Sequence, residues 1–266
     1  MHGIILLSPW QVFAAVCLIV AVGILSVVLQ LELERTLAVA ASRMICQLLL
    51  IGFILQWVFQ AKRWYMVVGI LTIMTLIAGF TAVRRAHRRY AGLWLDTLLS
   101  IWVSSWVIGG FGIAVVLRGG RVWYEPQYTI PLMGMVLGNS LNGIALGLNA
   151  FLDALATRRQ SVEALLALGA TRWEAARQPV RQAVRMGLIP IVNAMMIAGV
   201  VSLPGLMTGQ LLSGVAPIEA AKYQIVIMAL IASATAFGTF GVIAFCFFRF
   251  FSREHCFLYD RLKSAS

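Results

Sequence analysis

The sequence has few charged side chains: Asp, Glu, Lys and Arg together make up 12% of its 266 residues, about half the share in an average soluble protein. Hydrophobic residues account for 61%, against about 45–50% in soluble domains. A soluble chain of this length cannot hide so much apolar surface. The composition therefore excludes a large water-soluble catalytic domain, a disordered chain and a collagen-like chain, and it predicts an integral membrane protein.

The residues and motifs that catalysis, metal binding or ATP binding requires are also scarce. No histidine lies in the interior of a long apolar run, and none of the four cysteines forms a CxxC pair, so small buried thiols are expected rather than disulfides or a metal site. The chain has no Gly-Lys dipeptide and hence no Walker A loop. No carboxylate falls in the middle of an apolar run, which counts against an ion-coupled carrier. No cofactor and no catalytic residue are expected in this chain.

Seven uncharged runs are long enough to cross a bilayer as helices, which takes about 20 residues. They are residues 1–31, 44–61, 64–83, 97–117, 126–152, 186–218 and 223–248. The first run lacks the basic n-region of a signal peptide, so it is predicted to be a retained first span. The expected fold is all-α: one polytopic membrane domain over residues 1–266, with about seven transmembrane helices.

The run 186–218 is too long for one crossing and contains Pro204 followed by Gly205. Proline removes a helix donor and glycine permits unusual backbone angles. We therefore expect a helix to about Leu203, a break at Pro204 and Gly205, and then a short segment at the membrane surface.

The net charge of +11 is unevenly distributed along the chain. With seven spans, sixteen of the 21 Lys and Arg residues fall in loops on one side of the membrane and five on the other. Basic loops stay in the cytoplasm, so the N-terminus is predicted to lie outside and the C-terminus inside. Because the basic residues follow this topology, we expect contact with the lipid bilayer and no binding of nucleic acid.

Residues 153–185 form the one long loop, and it is predicted to be cytoplasmic. Two short helices are expected to meet at Gly169 and Ala170, with Gly169 in a left-handed conformation and Thr171 and Glu174 forming a capping box. One helix face is apolar, carried by Ala164, Leu165, Leu168 and Trp173. That face predicts either a docking surface for another protein or a helix pair lying on anionic lipid.

Several polar side chains lie inside the predicted spans, where they are costly unless they meet a partner or a cavity. They either hold helices together or line a translocation path, and methionine sulfur could add ligands for a soft ion or simply fill space. The candidate path residues are Arg43, Gln47, Asn139, Asn142, Asn149, Asn193 and Met207.

The loop 153–185 resembles the coupling segment of ABC-transporter permeases, in which E-A-A, three residues and then G precede a transmembrane helix. Glu163, Ala164 and Gly169 match that spacing, and Leu165 replaces the second alanine. Over nearly the whole chain the sequence resembles the FetB-type permeases, a family of ABC membrane subunits linked to metal export. The residues that carry this wider resemblance are Arg43, Gln47, Gly52, Ile130, Pro131, Gly134, Met135, Gly138, Asn139, 168–171, 201–205, Met207, Gly214, Pro217 and 222–225.

The resemblance implies a permease subunit in a bacterial inner membrane, paired as a homodimer with a separate ATPase subunit that binds ATP and magnesium. It implies export of metal ions, with iron as the leading candidate; a nucleotide-sugar or another small solute is the alternative within the family. The residues expected to couple to the ATPase are Glu163, Ala164, Leu168, Gly169, Ala170 and Trp173. The alternative outside the family is a stand-alone membrane scaffold or channel, with the loop 153–185 bound to lipid.

Overall fold

The computed structural model describes residues 8–61, 63–116 and 125–264. The helices in these ranges are α1 (Pro9–Val28), α2 (Glu34–Ala61), α3 (Trp64–Arg84), α4 (Leu93–Val116), α5 (Pro126–Thr157), α6 (Arg159–Ala167), α7 (Arg172–Ile197), α8 (Gly205–Leu212) and α9 (Pro217–Phe250). A 3-10 turn covers Tyr259–Arg261, and two short strands, β1 (Arg88–Arg89) and β2 (Lys263–Ser264), pair antiparallel. The predicted all-α fold is confirmed.

In the described part of the chain, six helices are long and apolar enough to cross a membrane: α1, α2, α3, α4, α5 and α9. Each corresponds to one of the predicted spans. The remaining run, 186–218, begins within α7, which starts at Arg172 and carries four arginines in its first fourteen residues. The apolar part of α7 is therefore short, and this helix joins the predicted cytoplasmic loop to the membrane region without interruption.

The prediction that the helix in run 186–218 continues to about Leu203 is wrong, because α7 ends at Ile197. The reason is Gly199, which takes a φ of 81° and turns the backbone where its N–H donates to the carbonyl of Ser202 at 2.9 Å. Pro204 lies outside any helix and Gly205 is the first residue of α8. The interruption thus begins six residues before the predicted end.

Helix starts follow from local sequence. Prolines occupy the first turn of α1, α5 and α9, where the missing N–H costs no hydrogen bond. Ser8 and Gln11 form a capping box at the start of α1. The helix α2 begins ten residues before the predicted run 44–61, because Arg35 and Arg43 lie within its N-terminal half instead of outside it.

The described residues form two compact units. The first contains α1 and α2, together with Leu212–Gly214. In the turn between α1 and α2, the hydroxyl of Ser26 accepts from the N–H of Leu33 at 3.0 Å and donates to Glu34 at 3.2 Å, which fixes the start of α2. The second unit contains α3 to α7, α9 and most of α8. The single-domain organisation stays a prediction.

The helix α5 is the centre of the second unit and packs against α3, α4, α7 and α9. Its backbone lies in direct contact with that of α7: a Cβ atom on Gly143 would be 2.8 Å from the carbonyl oxygen of Gly187. On the α9 side, the same Cβ would be 2.3 Å from the methyl group of Thr235. Small residues at membrane helix crossings permit such close packing.

After α9 the chain turns back along the end of the second unit at which α6 lies. The ring of Phe257 stacks on that of Phe251, with 5.2 Å between centroids. Strand β2 then pairs with β1 in the connection between α3 and α4. We call residues 251–264 the C-terminal segment.

Candidate functional site

The junction of α6 and α7, residues 158–173, has the local structure that the sequence predicts, and we call it the α6–α7 corner. Gly169 follows α6 with a φ of 90°. Thr171 caps α7: its hydroxyl accepts from the N–H of Glu174, and the Glu174 carboxylate accepts from the N–H of Thr171 at 2.7 Å. This backbone hydrogen bond lowers the pKa of Glu174. The expectation of two short helices is wrong for the second one, because α7 continues for 26 residues.

The α6–α7 corner turns apolar side chains outward. Leu168 is 85% exposed and Leu165 is 42% exposed, and Ala164 is exposed as well. Only Val162 of α6 is buried, which attaches the helix to the core. Beside this surface Glu163 forms an ion pair with Arg159 at 2.7 Å, and the hydrogen bond to Glu163 raises the pKa of Arg159. The corner therefore offers a small apolar surface with a charged edge.

Trp173 is only partly available for docking, because it also attaches α7 to α9. Its ring stacks on Phe247 with 4.0 Å between centroids and an interplanar angle of 18°, while about half of the side chain stays exposed. Of the apolar face that the sequence predicts, Leu168 is therefore exposed, whereas one side of the Trp173 ring packs against α9.

The C-terminal segment binds both helices of the corner, and sequence analysis missed this contact. The N–H of Arg172 donates to His255 Nδ1 at 3.0 Å, and the Arg172 guanidinium donates to the carbonyl of Ser252 at 3.1 Å. On α6, the guanidinium of Arg159 lies 4.1 Å from the ring centroid of Tyr259. The one available signal was the density of aromatic residues that continues past the last span.

Two of the predicted path residues on α5 are engaged in packing. Asn142 accepts from the guanidinium of Arg85 at 2.6 Å. Asn149 accepts from the N–H of His87 at 3.0 Å and donates to the carbonyl of Arg85 at 2.9 Å. Asn142 and Asn149 thus both bind Arg85, directly after α3. Of the two roles that the sequence allowed, these contacts match that of holding helices together.

The other predicted path residues have different surroundings. Asn139 is exposed on α5, and its amide donates only to the carbonyl of Met135 in the same helix. Asn193 is exposed on α7, and no hydrogen bond joins it to Asn139 within residues 125–264. Met207 lies half-buried on α8.

Arg43 and Gln47 belong to α2 of the first unit. Both are exposed and line an open groove along one face of that helix, together with Arg35. Among the described residues, no group of three His, Cys, Asp or Glu side chains could hold a metal ion.

A buried polar cluster joins α4 to α9, and sequence analysis missed it too. Asp96 is 5% exposed and accepts two hydrogen bonds from the Arg249 guanidinium, both at 3.1 Å. The Tyr90 hydroxyl donates to Asp96 at 2.9 Å and lies 3.1 Å from the sulfur of Cys246. Burial raises the pKa of Tyr90 above its usual range. The sequence did offer one signal: Asp96 directly precedes run 97–117 and Arg249 directly follows run 223–248, so both lie at the predicted cytoplasmic ends of their spans.

Comparison with known proteins identifies relatives along almost the whole chain. Residues 9–251 match UPF0014, which is described as an uncharacterised protein family. The chain is 37% identical over 224 residues to a UPF0014 membrane protein of Synechocystis sp., which covers 84% of this chain and 86% of the relative. No solved structure matches.

Two further relatives have names that refer to metals. Protein ALUMINUM SENSITIVE 3 of Arabidopsis thaliana is 30% identical over 244 residues, or 91% of this chain and 87% of the relative. The probable iron export permease protein FetB of Escherichia coli is 28% identical over 249 residues, or 94% of each chain. The family match, the relatives and the six apolar helices agree, and the chain belongs to the UPF0014 family of multi-pass membrane proteins.

Proposed function

We propose that this chain is the membrane-spanning permease subunit of an ABC transporter that exports metal ions, with iron as the leading candidate. ATP is hydrolysed by a separate subunit that binds ATP and magnesium. Similarity to the E. coli protein named as a probable iron export permease supports the substrate class. The α6–α7 corner supports the coupling to an ATPase.

The observation that carries the proposal is the exposure of Leu168 beside the left-handed Gly169. A leucine that is 85% exposed at a rigid turn contributes nothing to the core of its own chain. The capping box fixes the start of α7, the ion pair of Glu163 with Arg159 lies within α6, and neither covers Leu168. A small, rigid, apolar surface of this kind suits insertion into a cleft of a partner protein.

A continuous chain of contacts connects the corner to the spans. A force on α6 passes through the junction at Gly169 to α7, which continues without interruption to Ile197. The backbones of α7 and α5 touch at Gly187 and Gly143, so a displacement of α7 moves α5 as well. Coupling is thus carried by packed elements rather than by a flexible linker.

The exposed amides of α5 and α7 support a transporter built from two copies. Asn139 and Asn193 lie exposed in the uncharged parts of α5 and α7, and an amide facing lipid is costly. A second copy, or a water-filled path between two copies, provides the polar surroundings that these side chains need. The positive-inside rule supports an orientation in a bacterial inner membrane with α6 on the cytoplasmic side, the N-terminus outside and the C-terminus inside.

Substitution of Leu168 tests the docking role. Leu168→Glu places a charge on the proposed contact, and Val200→Glu is the matched control, because Val200 is 88% exposed and lies beyond the opposite end of α7. The tagged chain is purified from native membranes, co-purifying ATP-binding subunits are identified by mass spectrometry, and ATP-dependent Fe²⁺ uptake is measured in inside-out vesicles. We expect Leu168→Glu to reduce ATPase recovery and Fe²⁺ transport at least tenfold, and Val200→Glu to change neither.

Three results would each contradict a part of the proposal. Recovery of the parent chain without any ATP-binding subunit would favour the stand-alone scaffold or channel. Retention of the ATPase by Leu168→Glu would move the docking surface away from the corner. ATP-dependent transport without movement of Fe²⁺ would leave the ABC role standing and overturn only the choice of iron.

A further inference from the structure

Three arginines form a stripe along the first half of α7. Arg177, Arg181 and Arg185 recur at every fourth position, so they share one face of the helix over about 12 Å. All three side chains are exposed. They border a groove of about 690 Å³ beside α9, which we call the α7 groove.

The positive charge of the α7 groove is not compensated within the described chain. No ion pair or hydrogen bond engages the three guanidinium groups there. Nearby carboxylates along the sequence already have partners: Asp153 pairs with Arg88 at 3.0 Å, Glu163 pairs with Arg159, and Glu174 caps α7. The groove is therefore complementary to an anion.

The remaining wall of the α7 groove is apolar. It is formed by Trp173, Val180, Val184 and Phe240. Phe240 projects from α9 and is about half exposed. The groove runs along residues 173–185 of α7, directly before the uncharged run that begins at Met186. Its arginines suit an anionic group, and its apolar wall suits a hydrocarbon chain.

We propose that the α7 groove binds an anionic phospholipid. The arginines hold the phosphodiester, since guanidinium groups match phosphate oxygens in geometry and charge. One acyl chain lies against Val180, Val184 and Phe240. A free phosphate ester would leave this apolar wall uncovered, and basic grooves between membrane helices are known to hold acidic lipid headgroups. The site is independent of the proposed transport function.

Binding of phosphatidylglycerol to the purified full chain in detergent tests this site. Arg181→Gln removes the central charge, and Arg253→Gln removes one exposed charge from the C-terminal segment as the matched control. Each basic residue near an anionic lipid surface contributes about a fivefold change in affinity, so the triple variant Arg177→Gln, Arg181→Gln, Arg185→Gln should weaken the Kd about a hundredfold. Arg253→Gln should leave the Kd unchanged, and phosphatidylcholine should not compete.

A second variant separates the lipid from a free phosphate ester. Phe240→Ala should weaken phosphatidylglycerol binding several-fold and leave the binding of glycerol phosphate, the headgroup without acyl chains, at its original low affinity. Because Phe240 and the arginines are exposed, elution volume and thermal unfolding should match those of the parent chain.

Three results would overturn the proposal. The first is an unchanged phosphatidylglycerol affinity in the triple arginine variant. The second is binding of glycerol phosphate as tight as that of phosphatidylglycerol, which would make the groove a site for a free phosphate ester. The third is a change of oligomeric state in the triple variant with lipid affinity unchanged, which would show that a second copy covers the groove.

Discussion

Gly169 is the residue on which the shape of the α6–α7 corner depends. Its φ of 90° is unfavourable for residues with a Cβ atom, by about 1–2 kcal/mol, although a Cβ atom there would meet no atom within 4 Å. We expect Gly169→Val to change the angle between α6 and α7 and to reduce ATPase stimulation at least fivefold, with expression unchanged. Stimulation is measured with the purified partner ATPase in lipid vesicles.

The matched control for this prediction is Gly169→Asn. Asparagine carries a Cβ atom but tolerates the left-handed conformation better than other residues, whereas valine is β-branched and does not. We expect Gly169→Asn to keep most of the stimulation. Equal stimulation by the valine and asparagine variants would show that the backbone conformation at this residue has no part in coupling.

At the residue scale, what the sequence could predict depends on distance along the chain. The left-handed Gly169 and the capping box of Thr171 with Glu174 involve residues within one or two turns, and both predictions are confirmed. Asp96 and Arg249 are 153 positions apart, and their pairing depends on how α4 packs against α9. No local pattern contains that information, so the sequence indicates only that both residues lie near the ends of spans.

At the element scale, the crossing of α5, α7 and α9 has no room for additional atoms. A Cβ atom on Gly143 would be 2.3 Å from the methyl group of Thr235 and 2.8 Å from the Gly187 carbonyl oxygen. Backbone atoms cannot move away as a flexible side chain could. We expect Gly143→Ala to lower the free energy of unfolding by about 1–3 kcal/mol, measured by unfolding in mixed micelles.

Gly110→Ala on α4 is the control for this crossing. A Cβ atom on Gly110 would meet nothing within 4 Å, and alanine favours a helix over glycine by up to about 1 kcal/mol. The control should therefore unfold at the same denaturant concentration as the parent chain or slightly above it. A Gly143→Ala variant as stable as the Gly110→Ala variant would be inconsistent with direct backbone contact between α5 and α7.

Prediction of the elements was most successful where charge and apolar length together define a helix. Six predicted spans correspond to helices, and prolines mark the starts of α5 and α9. The prediction for run 186–218 was wrong because the arginine-rich segment before it, residues 172–185, and the first residues of the run form one helix, α7. The hydropathy of the run does not show where that helix begins, and Gly199 ends it before Pro204 can.

The C-terminal segment supports the α6–α7 corner through several contacts. It holds α6 through Tyr259 and the start of α7 through His255 and Ser252, while β2 pairs with the connection between α3 and α4. The C-terminal segment therefore attaches both helices of the corner to the rest of the second unit. A surface that receives force from a partner transmits more of it when its support is stiff.

For the whole molecule, the decisive question is what covers the polar face of α5. The side chains of Asn142 and Asn149 both bind the backbone or side chain of residues that follow α3. Among the described residues, the Asn139 side chain donates to the carbonyl of Met135 in its own helix, and it is exposed. In the proposed transporter, a second copy or water in a path between two copies would provide its polar surroundings.

We therefore expect Asn139→Leu to reduce ATP-dependent transport at least fivefold in vesicles while leaving expression and unfolding unchanged. It removes no bond between helices of the described residues, and a single amide hydrogen bond in a membrane interior contributes only about 0.6 kcal/mol on average. Asn149→Leu is the contrasting variant: it removes two bonds to the connection after α3, so it should lower stability as well as transport. If Asn139→Leu transports like the parent chain, the exposed amide faces neither a path nor a second copy, and the two-copy arrangement must bury a different face of the protein.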